Sequence, residues 1–314
     1  MITFGPIPSR RLGRSLGINN IPPKICSYAC VYCQLGKTYQ MKTELTEFYS
    51  SEQIFDKVRE KVEKSREKGE QIDYITFVSD GEPTLDINLG QEIRLIKSLG
   101  IKVAVISNSS LLGQEKVIKN LMEADLISLK VDSVDENIWK KINRPHRKLK
   151  LRAILKDILE FTNIFKGEII TETMLLEDIN DDSRNIEQVV DFLIQVNPKI
   201  AYLSIPIRPP AEKWVQAPGE EDLNHIFNIF KKRISKVEYL VGYEGNAFAF
   251  TGEVEEDILS ITSVHPMREE ALRDFLKRAE SDWSIALKLI NENKLVETEF
   301  EGNKFYIRKL NIKH

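Results

Sequence analysis

Between residues 51 and 241, short runs rich in β-branched and apolar residues alternate with stretches whose apolar residues recur every three or four positions. Residues 72–78 (IDYITFV), 101–106 (IKVAVI), 125–131, 168–175 and 200–205 read as buried strands, and 237–241 as a short last one. Helical stretches lie at 51–68, 88–99, 112–122, 135–142, 149–162, 182–196 and 219–234. In the first, Ile54, Phe55, Val58 and Val62 form the apolar stripe and Ser51 is a plausible N-cap; Gly100 ends the second. Parallel strands need long crossovers, whereas antiparallel ones need only a turn, so this alternation predicts a parallel sheet. Adding an early strand near 15–20 gives about six strand–helix units, too few for a closed eight-fold barrel. The expected fold class is α/β, a partial (β/α)6 barrel, with ligands at the carboxyl ends of the strands.

The pattern changes after residue 250. A short helix fits 253–260, and after His265-Pro266 come two more at 267–279 and 282–292. The runs LVETEF and KFYIRKL, separated by Glu301-Gly302-Asn303, read as a hairpin turning at Gly302-Asn303. Three helices and a hairpin suggest a winged helix-turn-helix, so the expected domains are 1–245 and 252–314. Its core should contain Ala271, Leu272, Phe275 and Leu276 with Ile285, Leu289 and Leu295. In the connection, Phe248 and Phe250 alternate with Ala247, Ala249 and Thr251 as in a strand, which predicts a packed junction.

Composition limits the function classes. At 42% apolar and 30% charged, the 314-residue chain is neither disordered nor membrane-spanning in character, and no run approaches ~18 apolar residues. The start of the sequence lacks a secretory pattern, which predicts a cytoplasmic protein. The formal net charge of −3 excludes a globally basic nucleic-acid binder.

The three cysteines, Cys26, Cys30 and Cys33, all fall within one short segment. An odd, clustered set argues for metal rather than disulfides. Three thiolates suffice for three irons of a [4Fe–4S] cluster, with the fourth iron left open. A structural zinc site is the alternative; it would need a fourth ligand from His146, His225, His265, His314 or a carboxylate, none well spaced nearby.

The C-x3-C-x2-C spacing with Tyr32 before the last cysteine resembles the signature of radical S-adenosylmethionine (radical SAM) enzymes, and the resemblance extends over residues 1–240. It implies one [4Fe–4S] cluster on Cys26, Cys30 and Cys33, whose open iron binds S-adenosylmethionine (SAM). Cleavage of SAM then yields methionine and a 5′-deoxyadenosyl radical that abstracts hydrogen from a substrate. Ser79-Asp80-Gly81-Glu82-Pro83-Thr84 resembles the family's Gly-Gly-Glu motif, with Asp80 in place of the first glycine; Asp80, Gly81 and Glu82 would meet the SAM ammonium. Ser107-Asn108-Ser109 resembles a T-N-G segment that contacts SAM or its ribose, although asparagine is also common in such turns for local reasons.

Leu126, Ser128, Lys130 and Asp132 share one strand face; Ser128 and Lys130 would line the barrel interior as SAM contacts, and a buried lysine needs a partner: the SAM carboxylate, or a nearby Asp or Glu. Asn143-Arg144-Pro145 resembles an I-N-R-P sequence of the same family. Arg208, just past a strand end, is an anion ligand for SAM or substrate, or else a surface residue. The opening FGPIPSRRLGR resembles one subgroup, broadly related to the molybdenum-cofactor and wybutosine-tRNA enzymes. Its arginines would face an anionic substrate or pair with acids.

Absence of further cysteines predicts no auxiliary cluster, no sulfur insertion and no cysteine-relay methylation, and the roughly 25 residues before the loop predict no cobalamin domain. The resemblance also implies a low-potential donor, ferredoxin or flavodoxin. The substrate class is open: small molecule, peptide or RNA. A redox-sensing regulator that binds nucleic acid or a protein through its winged helix is the competing class. Residues 252–314 carry 13 acidic and 10 basic side chains, and Lys288 is the one basic residue in 282–292, which makes DNA a poor partner. Every proposed ligand precedes residue 210, so removal of 252–314 is expected to spare SAM cleavage.

Overall fold

The chain opens with an antiparallel hairpin, β1 (Thr3–Ser9) and β2 (Gly13–Ile18). The computed structural model describes residues 2–240, 248–263 and 265–309. Sequence patterning finds β2 but not β1, whose Pro6 and Pro8 argue against a strand. They are tolerated because β1 is the sheet edge, where a missing N–H loses no ladder bond. Two short strands, β3 (Ile25–Cys26) and β4 (Gln40–Met41), pair beside the cysteine loop.

The repeating units follow: α1 (Ser51–Glu67), β5 (Tyr74–Phe77), α2 (Leu89–Lys97), β6 (Lys102–Ser107), α3 (Glu115–Leu121) and β7 (Leu126–Lys130). Then come α4 (Glu136–Asn143), α5 (Leu151–Ile164), β8 (Glu168–Met174), α6 (Ser183–Val196), β9 (Ile200–Ser204), α7 (Glu220–Lys231) and β10 (Val237–Leu240). The strand order is β1-β2-β5-β6-β7-β8-β9-β10, with every pair parallel except β1–β2. The sheet curls into a half-barrel. Ser50, not Ser51, caps α1 by accepting from the Gln53 amide, and Asp135 and Asp182 cap α4 and α6 in the same way.

The main core lies between the helices and the outer face of the sheet, around Phe77, Val105, Ile127, Phe161 and Val190. A smaller cluster inside the curl, with Ala104, Leu126, Ile170 and Tyr202, is plugged by Leu12 from the β1–β2 turn. The strands are therefore apolar on both faces, as parallel strands covered on both sides must be.

Beyond residue 248 lie α8 (Val254–Thr262), β11 (Met267–Arg268), α9 (Glu269–Arg278), α10 (Ser284–Asn291), β12 (Leu295–Phe300) and β13 (Asn303–Arg308). The strands form an antiparallel sheet of order β11-β13-β12. Ala271, Leu272, Phe275, Leu276, Leu289 and Leu295 share its core with Phe248, and Ile285 packs at the margin. The hairpin turns one residue earlier than expected, at Glu301-Gly302, both with positive φ. No strand forms at 248–250, and Ala247 lies outside the described residues. The junction is nonetheless fixed: the Ala249 amide donates to the Pro6 carbonyl (3.0 Å) and Ser260 Oγ to the Thr3 carbonyl (3.1 Å). Lys61 of α1 pairs with the buried Asp257 of α8 at 2.7 Å.

Candidate active site

A cavity of about 310 Å³ opens at the carboxyl ends of the strands, within the usual range of ~300–1,000 Å³ for ligand clefts. All three cysteines line it, together with Asp80, Gly81, Glu82, Asn108, Tyr32, Lys130 and Arg208. Ser128 does not reach it; it is buried one pleat deeper on β7, because the cavity starts only at the strand ends.

Two neighbours shape the cysteine loop. On one side β3 bridges to the turn after β5: Ile25 pairs with Gly81, and the Glu82 amide donates to the Ile25 carbonyl at 3.2 Å. A Cβ on Gly81, whose φ is +153°, would lie 1.9 Å from that carbonyl oxygen, so only glycine permits the approach. On the other side the end of α4 clasps the loop. The Val31 amide donates to the Ile142 carbonyl (2.9 Å), Ala29 to Asn143 (3.0 Å) and His146 to Ser27 (2.9 Å). The Asn143-Arg144-Pro145 segment thus has a local task, and the left-handed Arg144 ends the helix for it.

Polar groups converge on the sulfurs. Asn108 Nδ2 lies 3.5 Å from Cys26 Sγ and Asn143 Nδ2 lies 3.4 Å from Cys30 Sγ. Burial, with Glu82 and Cys30 nearby, raises the Cys26 thiol well above its ordinary value; burial pushes Cys30 up to about 12. Burial also raises Cys33, against the pull of Lys24. Three buried thiols, each raised by burial, resist ionising together unless a cationic centre compensates them, which is the donor chemistry of a metal cluster. Three thiolates with no fourth protein ligand beside them among the described residues are the donor set of a [4Fe–4S] cluster with one open iron rather than of structural zinc, which takes four protein ligands.

Glu82 is more occupied than its motif suggests. Oε1 accepts from the Thr84 amide (3.1 Å), Thr84 Oγ1 (2.6 Å) and Ser107 Oγ (2.8 Å), and Oε2 from the Asn108 amide (2.7 Å). The carboxylate ties the ends of β5 and β6 together. Asp80 differs: Oδ1 pairs with Lys24 Nζ at 2.9 Å, while the buried Oδ2 has no hydrogen-bond partner among the described residues. Burial raises its pKa and Lys24 opposes the rise.

Lys130 pairs with an acid, Glu172 of β8, at 2.7 Å, and its Nζ stands 4.9 Å from the Tyr32 ring centroid. Arg11, from the β1–β2 turn, reaches up through the curl to the other Glu172 oxygen, and Ser204 Oγ adds a bond of 3.0 Å. Burial opposes ionisation of Glu172, but Arg11 and Lys130 outweigh it and hold the carboxyl at about 2. Arg14 pairs with Glu70, away from the cavity. Tyr32 is anchored by Asp132, at 2.5 Å from its hydroxyl, and by Asn143 at 3.2 Å. Arg208 is buried, not a surface residue; Nη1 donates to Gln34 Oε1 at 3.0 Å and Nη2 meets His265 Nε2. The sequence reading left out Lys24 and Gln34, which flank the cysteines, and gave His265 only as a metal candidate. Thr173 Oγ1 donates to the Val131 carbonyl, and Asn180 Nδ2 to those of Asp132 and Met174.

The radical SAM superfamily family model matches residues 20–193. The chain is 49% identical over 311 residues, 98% of its length and 96% of the relative's, to UPF0026 protein MJ1312 of Methanocaldococcus jannaschii. The half-barrel resembles a radical SAM methyltransferase from Sphaerobacter thermophilus (TM-score 0.56, 15% identity, 73% of this chain and 67% of that one). It also resembles TYW1 with a lysine–pyruvate adduct bound (TM-score 0.52, 16% identity, 71% and 74%). The chain belongs to the radical SAM superfamily, and within it to the UPF0026 group. It is accordingly an enzyme, with a [4Fe–4S] cluster and SAM as cofactors. No helix among the described residues is long and apolar enough to cross a membrane.

Proposed function

We propose that Cys26, Cys30 and Cys33 would hold the single cluster, that the adjoining cavity would hold SAM, and that its mouth would admit the substrate. The convergence of three thiols, the turn after β5 and the turn after β6 on one cavity carries this reading. The chemistry supplied when both cofactors are bound is reductive cleavage of the sulfonium to methionine and a hydrogen-abstracting 5′-deoxyadenosyl radical. The chain's own residues set the stage. Asn108 and Asn143 donate N–H groups to cysteine sulfur, which favours thiolate. Asp80 Oδ2, buried and unpartnered, suits the SAM ammonium better than the fully engaged Glu82. Arg208 faces the SAM carboxylate, and Lys130, already neutralised by Glu172, forms the floor with Tyr32.

The acidic C-terminal unit, residues 252–314, is read as a winged helix that does not bind DNA. The family match carries the enzyme reading and gives no support to the redox-sensing regulator. Ferredoxin or flavodoxin suits the reductant role, and a small molecule, peptide or RNA the substrate role. The test is anaerobic reconstitution. About four irons per chain, with 5′-deoxyadenosine formed from SAM and dithionite, is the expected result; one zinc without iron uptake would sink the assignment.

A further inference from the structure

The half-barrel leaves two edges, β1 and β10, and the C-terminal unit packs against the β1 edge. It is fastened to the β1 side through Pro6, Thr3 and Lys61, and Ile7 of β1 packs on its core. Among the described residues, His265 connects the unit to the cavity wall. His265, 2% exposed, follows α8, with its amide bonded to the Ile261 carbonyl at 2.8 Å and its ring edge-on to Phe248 at 5.1 Å. Its Nε2 meets Arg208, which follows β9 and lines the cavity. Arg208 continues to Gln34, the residue after Cys33. A hydrogen-bonded chain therefore runs from the core of the C-terminal unit, through the cavity wall, to the cysteine loop.

We propose that His265 is a positioning residue for SAM binding: it fixes the Arg208 guanidinium, so that the C-terminal unit is part of the cofactor site. The proposal rests on the reading that Arg208 faces the SAM carboxylate. A guanidinium has only N–H donors, so the histidine must accept, which requires a neutral ring protonated at Nδ1. An arginine held at its nitrogens loses little further freedom when it meets an anion; released at one of them, it is less fixed and gives up more freedom on binding. This departs from the expectation that residues after 210 are dispensable for SAM.

The experiment compares reconstituted full-length protein with His265→Leu, His265→Gln, Arg208→Met and the double variant His265→Leu/Arg208→Met. It measures equilibrium SAM binding, iron content and thermal melting. His265→Leu is expected to weaken SAM binding about tenfold, the loss of one bond to a charged group, with iron content unchanged. Arg208→Met should weaken it at least as much, and the double variant no more than Arg208→Met, because His265 acts only through Arg208. The amide carbonyl of His265→Gln should restore most of the loss. Lys288→Ala, which breaks an exposed ion pair with Glu255 in the same unit, should match wild type.

Wild-type affinity in His265→Leu, or losses that add in the double variant, would overturn the proposal. If His265→Leu unfolds the C-terminal unit, Arg208→Lys decides. Its single ammonium cannot bridge Gln34 and His265 while facing a ligand, so a tenfold loss supports the proposal and unchanged affinity overturns it. Wild-type protein that holds iron but binds no SAM would instead refute the cofactor reading beneath it.

Discussion

Replacing Glu172 by glutamine should be the most damaging conservative change in the cavity floor. The carboxylate sits between Arg11 and Lys130, with all three side chains less than one-fifth exposed. Lowering a carboxyl from 4.5 to about 2 corresponds to about 3 kcal/mol in favour of its ionised form. Removing the charge leaves two buried cations facing each other, and breaking a buried pair in this way costs about 3–5 kcal/mol. Lys130→Met or Arg11→Met is milder, at about 1–2 kcal/mol, because Glu172 keeps one cation. At about 2.1 cal/mol/K per residue, 314 residues give about 0.65 kcal/mol per kelvin. Glu172→Gln should then lower the melting temperature by about 5–8 °C and the methionine variants by about 2–3 °C.

The assay is anaerobic thermal melting at matched iron content. Lys130→Met combined with Glu172→Gln should recover part of the loss, since it removes one of the orphaned cations. The sign with pH follows from the shift. The depressed carboxyl contributes stability present above 4.5 and lost as pH falls toward 2, while Lys130, raised above 10.5 because Glu172 and Asp132 outweigh burial, loses its contribution only in alkali. The penalty should therefore be constant between pH 6 and 8. A Glu172→Gln variant no less stable than Lys130→Met, or a penalty that shrinks across that window, would refute the reasoning.

Alanine at Cys26, Cys30 or Cys33 should abolish the broad absorbance near ~400 nm of the reconstituted cluster, read directly by spectroscopy. Glu82→Gln keeps one acceptor oxygen for four donors and should cost about 2–3 kcal/mol, so melting shifts before any change in SAM affinity is interpretable; unchanged melting would contradict the bonding described. Gly81→Ala should prevent stable iron uptake, because its Cβ would collide with the Ile25 carbonyl and push β3 with Cys26 away; full iron content would show that the loop can yield.

The alternation of strands and helices was legible because parallel strands covered on both faces leave continuous apolar runs, such as 101–106, and amphipathic helices leave a periodic stripe. The edge strand β1 was not, since Pro6 and Pro8 mask it in the sequence. The cysteines and the turn at 79–84 could be read because their chemistry is local. What resisted reading was partnership across long separations. Lys130 called for an acid or an anion, yet nothing in its neighbourhood names Glu172 as the acid or Arg11 as its second cation. Arg208 beside two prolines gives no hint of burial, and His265 precedes a proline in an unremarkable segment. Each owes its role to curling of the sheet, which brings residues from opposite ends of the chain to one rim.

The clasp between the cysteine loop and residues 142–146 also sets an order of events during synthesis. All three thiols are complete by residue 33, but the segment that pairs with their backbone emerges more than 100 residues later. At about 5–20 residues per second, that delay is roughly five to twenty seconds. For that interval the ribosome displays three unscreened thiols, without the asparagine donor of the clasp, open to oxidant or to whichever thiophilic metal is abundant. The exposure ends when α4 closes over the loop, so a cluster supplied during synthesis would meet an open cysteine loop and one supplied afterwards a clasped one.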